Sequence, residues 1–186
     1  FYGLHRLPFE TARLTGRELL VIGPAQPLEA GPQPAGLSLP AASGLIAVAE
    51  TNEVLVFDTT TLELQKKFPA NRPGSVALSR DARWLAVADQ AADAVTVWNY
   101  QTGEAAARWR GGAGSRVCFS PDGSWLAVAS DAQCRLWKTG AWKNEAARVP
   151  AGVSGGVTTV AFAPDGFSLA LTAGADRVSL VSVPGG

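Results

Sequence analysis

Two cysteines, Cys118 and Cys134, and one histidine, His5, are the side chains of this 186-residue chain best suited to nucleophilic or metal chemistry. Catalysis of the Ser–His–Asp or Cys–His kind needs an imidazole or equivalent base beside the nucleophile. The one imidazole lies in an irregular N-terminal stretch, more than a hundred residues before either thiol. Two thiols are too few for a disulfide framework or a closed zinc site. Carboxylates are spread one or two per loop, not clustered as a divalent-cation cage requires. Gly111-Gly112-Ala113-Gly114 is glycine-rich, yet it lacks the Lys-Ser or Lys-Thr of a phosphate loop and opens a strand, not a helix. This inventory predicts a non-enzyme with no cofactor and no metal.

Recognition chemistry has better material. Arg72, Trp109, Arg110 and Arg116 fall in or beside connections between repeated segments, and Trp142 lies on a rim segment between Lys138 and Lys143. Trp and Arg dominate binding hot spots, which makes these five the candidate partner contacts. Trp109 and Trp142 each have a packing role as the competing reading. Trp84 and Trp125 recur at one phase of the repeat, which argues for packing.

Sixteen basic residues balance sixteen acidic ones, so the electrostatic footprint of a general nucleic-acid binder is missing. At 47% hydrophobic and 17% charged residues, the chain is globular in composition and far from the disordered class. No apolar run approaches the roughly 18–20 residues that span a bilayer, and the N-terminus lacks the basic-then-apolar order of a secretory signal. The chain contains no Met, so Phe1 is not an initiator; the expectation is a piece of a longer polypeptide or a processed product.

The elements that must position these residues come from an internal repeat. Ile46, Leu85, Leu126 and Leu169 open four similar apolar runs at steps of 39, 41 and 43 residues. A second marker, Phe57, Trp98, Trp137 and Val181, follows in phase at steps of 41, 39 and 44. Each unit reads as four short strands. The first ends in a turn at 79–83, 120–124 or 163–167, where Asp122-Gly123 and Asp165-Gly166 follow a proline and supply hairpin chemistry. The second alternates small and large apolar residues, the third is β-branched, and the fourth is predicted at 62–68, 104–109 and 141–149. Regular short strands with turn signals predict an all-β chain with little helix. The two cysteines fall on strands one and three of one unit. Next-nearest strands lie about 9.6 Å apart, beyond the roughly 7 Å that a disulfide spans. Free thiols suit a reducing, intracellular and cytoplasmic setting.

The run FSPDGSWLAVAS at 119–130 with Trp137 resembles the WD-repeat β-propeller family. The resemblance implies four-stranded antiparallel blades of about 40–45 residues. It covers 36–186 as four blades, at 36–70, 71–110, 111–150 and 151–186, with 1–35 an irregular segment holding part of a preceding blade. There, 18–29 aligns with a third strand and the start of a fourth, leaving 1–16 to supply two more. The family's Gly-His pair is missing from every unit. Its Trp-Asp pair stands as Phe57-Asp58, Trp98-Asn99, Trp137-Lys138 and Val181-Ser182, so its buried Asp–His–Ser–Trp network cannot form. Asp93, Asp131 and Asp176 are expected to close the loops between strands two and three. A seven-bladed ring needs roughly 280 residues, so the ring in this chain is incomplete. Further parts of the same polypeptide, a second copy or a partner protein must complete it, the first being preferred. The resemblance implies a non-catalytic protein-interaction scaffold within a larger complex. The alternatives are a sensory or regulatory propeller joined to an enzymatic domain elsewhere and, behind it, a propeller-type hydrolase or quinoprotein.

Overall fold

The computed structural model describes residues 35–40, 43–112, 114–130, 133–150, 157–172 and 178–183 in full, and the backbone alone at 5–6, 9–14, 17–22, 26–27, 173 and 177. All of its regular structure is antiparallel β-sheet. Near the N-terminus, β1 (His5–Arg6) pairs with β4 (Gln26–Pro27) and β2 (Phe9–Leu14) with β3 (Arg17–Ile22). The two pairings form separate two-stranded sheets. Residues before Gly16 thus supply two strands, β1 and β2.

From residue 36 the chain forms successive meanders. The first blade is β5 (Gly36–Ser38), β6 (Leu45–Ala49), β7 (Glu53–Asp58) and β8 (Leu64–Pro69). The second is β9 (Pro73–Leu78), β10 (Trp84–Asp89), β11 (Ala94–Asn99) and β12 (Ala105–Arg110). The third is β13 (Arg116–Phe119), β14 (Trp125–Ser130), β15 (Gln133–Lys138) and β16 (Ala147–Pro150). The fourth has three strands among the described residues: β17 (Thr159–Phe162), β18 (Ser168–Ala173) and β19 (Arg177–Ser182). Neighbouring inner strands, β5 with β9, β9 with β13 and β13 with β17, lie side by side, and the ring is not closed.

Period-two alternation explains how the blades stack. On β10, Leu85 and Val87 face the preceding blade, where they bury Ala47, Ala49, Val54 and Val56. Ala86 and Ala88 face the following blade with Val95 and Val97, against Val117, Leu126 and Val128. The small side of each blade thus receives the large side of the next. Each Leu or Val so buried contributes about 1.5–3 kcal/mol.

The turns from strand one to strand two share one design. Ser79 and Ser120 accept from the N–H of Trp84 and Trp125 at 2.9 Å and donate to Asp81 and Asp122. Ala82, Gly123 and Gly166 hold the corresponding left-handed position, at φ of 54°, 77° and 75°.

The fourth strand of the third blade departs from expectation. It begins at Ala147, and 139–144 form turns instead. The reason is Trp142, which folds inward, 6% exposed, and sets its ring edge-on to Trp84 at 5.2 Å.

Candidate functional site

The five candidate contacts separate into three situations. Trp142 is buried between the second and third blades and offers no ring face to solvent. Trp109, on β12, is half-buried and stacks on Trp137 at 4.5 Å, so its packing role is realised. Arg72, Arg110 and Arg116 stand on one face of the arc, where inner strands begin and outer strands end.

Arg110 is tied down. Its Nε donates to Asp93 at 2.9 Å, and the other Asp93 oxygen accepts from Gly112 N–H at 2.9 Å. The bond from Arg110, outweighing some desolvation, holds the Asp93 carboxyl below its ordinary range. Asp93 adopts φ 47° between β10 and β11, yet its side chain secures the connection to the next blade, not its own loop as expected. The local loop is closed by Asp89, which accepts from Ala92 N–H at 3.0 Å and Asn71 N–H at 2.8 Å. Asp131 and Asp176 lie outside the described residues. Arg135 adds a second brace, donating to the Arg110 and Gly111 carbonyls at 2.8 and 2.7 Å while its guanidinium lies over Trp137.

Arg72 and Arg116, 44 positions apart in sequence, line one cavity of about 310 Å³. Arg72 sits in the crossover from β8 to β9 at φ 56°, held by its N–H to Thr51 carbonyl at 2.8 Å and its carbonyl to Gln90 N–H at 3.2 Å. Arg116 opens β13. Its Nε donates to the Thr158 carbonyl of the fourth blade at 2.9 Å, and one terminal nitrogen to the Gly114 and Ser115 carbonyls at 3.1 and 3.3 Å. Among the described residues no carboxylate forms an ion pair with either guanidinium. Glu50 and Gln90 complete the polar wall. Both follow the apolar run of strand two, a position that sequence reading passed over. Gly74 marks it: a Cβ there would fall 2.0 Å from the Gln90 side-chain nitrogen.

The opposite face carries a groove of about 710 Å³ built from the strand-one turns, with Arg83 over Trp84 and Lys138 over Trp125. Its carboxylates serve the turns. Asp122 is raised by burial, but bonds from Ser120 and Ser124 outweigh that and hold it low. Phe167, 55% exposed, replaces the polar Arg83 and Ser124 of the other turns.

The thiols lie on strands flanking β14, opposite Ala127 and Ala129, Cys134 buried and Cys118 half-buried, and both are free. Burial pushes Cys134 up to about 12 and Cys118 further. Neither is a nucleophile near neutral pH. Among the described residues no group of three His, Cys, Asp or Glu could hold a metal ion, and no helix is long and apolar enough to cross a membrane.

Four-stranded antiparallel sheets stacked through inner strands define a β-propeller-type fold. Residues 115–138 match the family described as WD domain, G-beta repeat. With that repeat set in blades of this form, the chain fits a WD-repeat propeller. Among solved structures it is similar to Kuenenia stuttgartiensis hydrazine synthase, with a TM-score of 0.70 and 18% identity over 80% of this chain. The chain spans 46% of the length of that structure, and the likeness concerns the fold. No curated protein matches it. Among the described residues the indole N–H groups of Trp98 and Trp142 are buried with no hydrogen-bond partner.

Proposed function

We propose that this chain is a non-catalytic propeller platform that docks other proteins within a larger assembly. The observation that supports it most is the presentation of Arg72, Arg110 and Arg116 on one face of a rigid stack of blades. Loops on rigid scaffolds carry recognition, and Arg is a preferred anchor. The WD-repeat match points the same way.

The assembly reading rests on the fourth blade. Val178 and Leu180 are 67% and 78% exposed. Their equivalents Val54 and Val56, Val95 and Val97, Cys134 and Leu136 are all fully buried by the following blade. Apolar faces of this kind are seldom left bare in solution, and another blade in the ring is the cover this proposal assigns. The two free thiols favour a reducing, cytoplasmic setting.

A second reading is a regulatory or sensory propeller joined to an enzymatic part of a longer polypeptide. It draws on the similar structure, whose name is that of an enzyme and whose chain is about twice as long as the part matched. A propeller hydrolase or quinoprotein is less favoured, since blade residues 36–186 contain no histidine.

The test is quantitative affinity capture with the natural full-length protein against an R72A/R110A/R116A variant of matched thermal stability. The expected result is a recurrent partner whose recovery falls at least about tenfold, the scale of one lost anchor. Unchanged recovery, or substrate turnover by the purified protein, would overturn the platform reading.

A further inference from the structure

Arg72 occupies a left-handed backbone position, φ 56°, that strains an ordinary side chain and costs a glycine almost nothing. The matching connection into the third blade uses glycines at positive φ, Gly112 at 95° and Gly114 at 67°. Glycine would fold more easily at 72 as well. The chain places an arginine there instead, exposed and clamped by hydrogen bonds to Thr51 and Gln90 on either side of its peptide. Strain held at an exposed arginine that lines a cavity is an outlier from which a function can be inferred.

The second cation of the cavity is fixed in a complementary way. Three backbone carbonyls hold the Arg116 guanidinium without neutralising it. Its orientation is therefore set before any ligand arrives, and among the described residues no carboxylate pairs with its charge. Two like charges on one wall repel each other until an anion sits between them. Glu50 lines the same cavity. The Gln90 amide, lying where only a glycine at 74 leaves room, adds a neutral N–H donor to the wall.

We propose that the Arg72–Arg116 cavity binds an oxyanionic group, a carboxylate or phosphate, borne on an acidic segment of a partner protein. Arg72 presents planar, paired N–H donors that match both groups, and Arg116 adds the terminal nitrogen that its carbonyl contacts leave free. The cavity, at about 310 Å³, takes one such group and its stem but not a folded element. The proposal deepens the platform reading and rests on it for the partner, while the site itself can be tested without one.

The experiment is calorimetric titration of the natural full-length chain, at low salt, with inorganic phosphate and separately with a capped oligoglutamate peptide. The variants are R72G, R116K and an outer-strand control, R108A. R72G relieves backbone strain, so its thermal midpoint should hold or rise while affinity for the probe falls about tenfold or more, the weight of one charge-assisted contact. R116K keeps charge but loses the orientation that the three carbonyls fix, and should weaken binding less than R72G. R108A should leave binding unchanged. Saturable binding of either probe that R72G weakens supports the site, and peptide binding tighter than phosphate supports a polypeptide ligand over free phosphate. No saturable binding, or binding equal in wild type and R72G, overturns it. Partner capture without anion binding would sink the site and leave the platform standing. Anion binding without partner capture would do the reverse.

Discussion

Trp109 on the outer strand of the second blade stacks on Trp137 of the third blade, with ring centroids 4.5 Å apart and planes inclined by 24°. The same step of the repeat places Phe68 against Trp98 at 5.7 Å one blade earlier. One blade later Val149 and Val181 pack about the same core. Register explains the series, because Phe68, Trp109 and Val149 pair with Val54, Val95 and Cys134 at one phase of the third strand. The markers of the second, third and fourth blades thus rest on the outer strand of the preceding blade. Trp142 closes the wide second-to-third joint by touching both Trp84 and Trp109. Trp109→Ala should cost about 3 kcal/mol in urea unfolding, and Trp109→Phe under about 1.5. An alanine variant of wild-type stability would refute this joint.

Ala82 adopts φ 54°, where the equivalent turns have glycine. Ala82→Gly should therefore stabilise by about 0.5–1 kcal/mol, raising the thermal midpoint by about 2–3 °C. Gly123→Ala, with no neighbour within 4 Å of the new Cβ, tests backbone strain alone and should cost about 1 kcal/mol. Changes of equal sign in the two variants would contradict the shared turn design.

Both thiols should resist thiol reagents at pH 8 in the native state and react at once after unfolding. Their folded values are raised, so the neutral form stabilises the fold fully below an ordinary thiol value near 8.5. That contribution is lost as pH rises toward about 12, the folded value of Cys134. The loss is about 1.4 kcal/mol per pH unit per thiol. The difference in stability between wild type and Cys134→Ala should therefore shrink between pH 9 and 11. A difference constant with pH would show that burial does not disfavour the thiolate.

The bare face of the fourth blade should make a segment ending at residue 186 self-associate, as sedimentation velocity would detect. Val178→Lys combined with Leu180→Lys should return it to monomer, since like charges cannot share a dry interface. A wild-type segment that stays monomeric at high concentration would argue against an adhesive face.

Much of the architecture was legible in the residues because a blade is specified locally. Alternation at period two, Pro-Asp-Gly turns and phase-matched aromatics place strands without distant information, and the four apolar runs became β6, β10, β14 and β18. The limits appeared where contacts cross between blades. Trp142 looked like a rim residue because its segment continues a strand pattern. Only the gap beside Trp84 and Trp109 decides that it turns inward. Asp93 read as a loop closer, but its partners Arg110 and Gly112 belong to the next connection. By itself the sequence determined an all-β stack of repeated blades and nominated Arg72 and Arg116 separately. That these two share one cavity, with Gln90 across Gly74 between them, depends on the angle at which successive blades meet. That angle is set by packing of the large side of one blade on the small side of another, which no single repeat encodes.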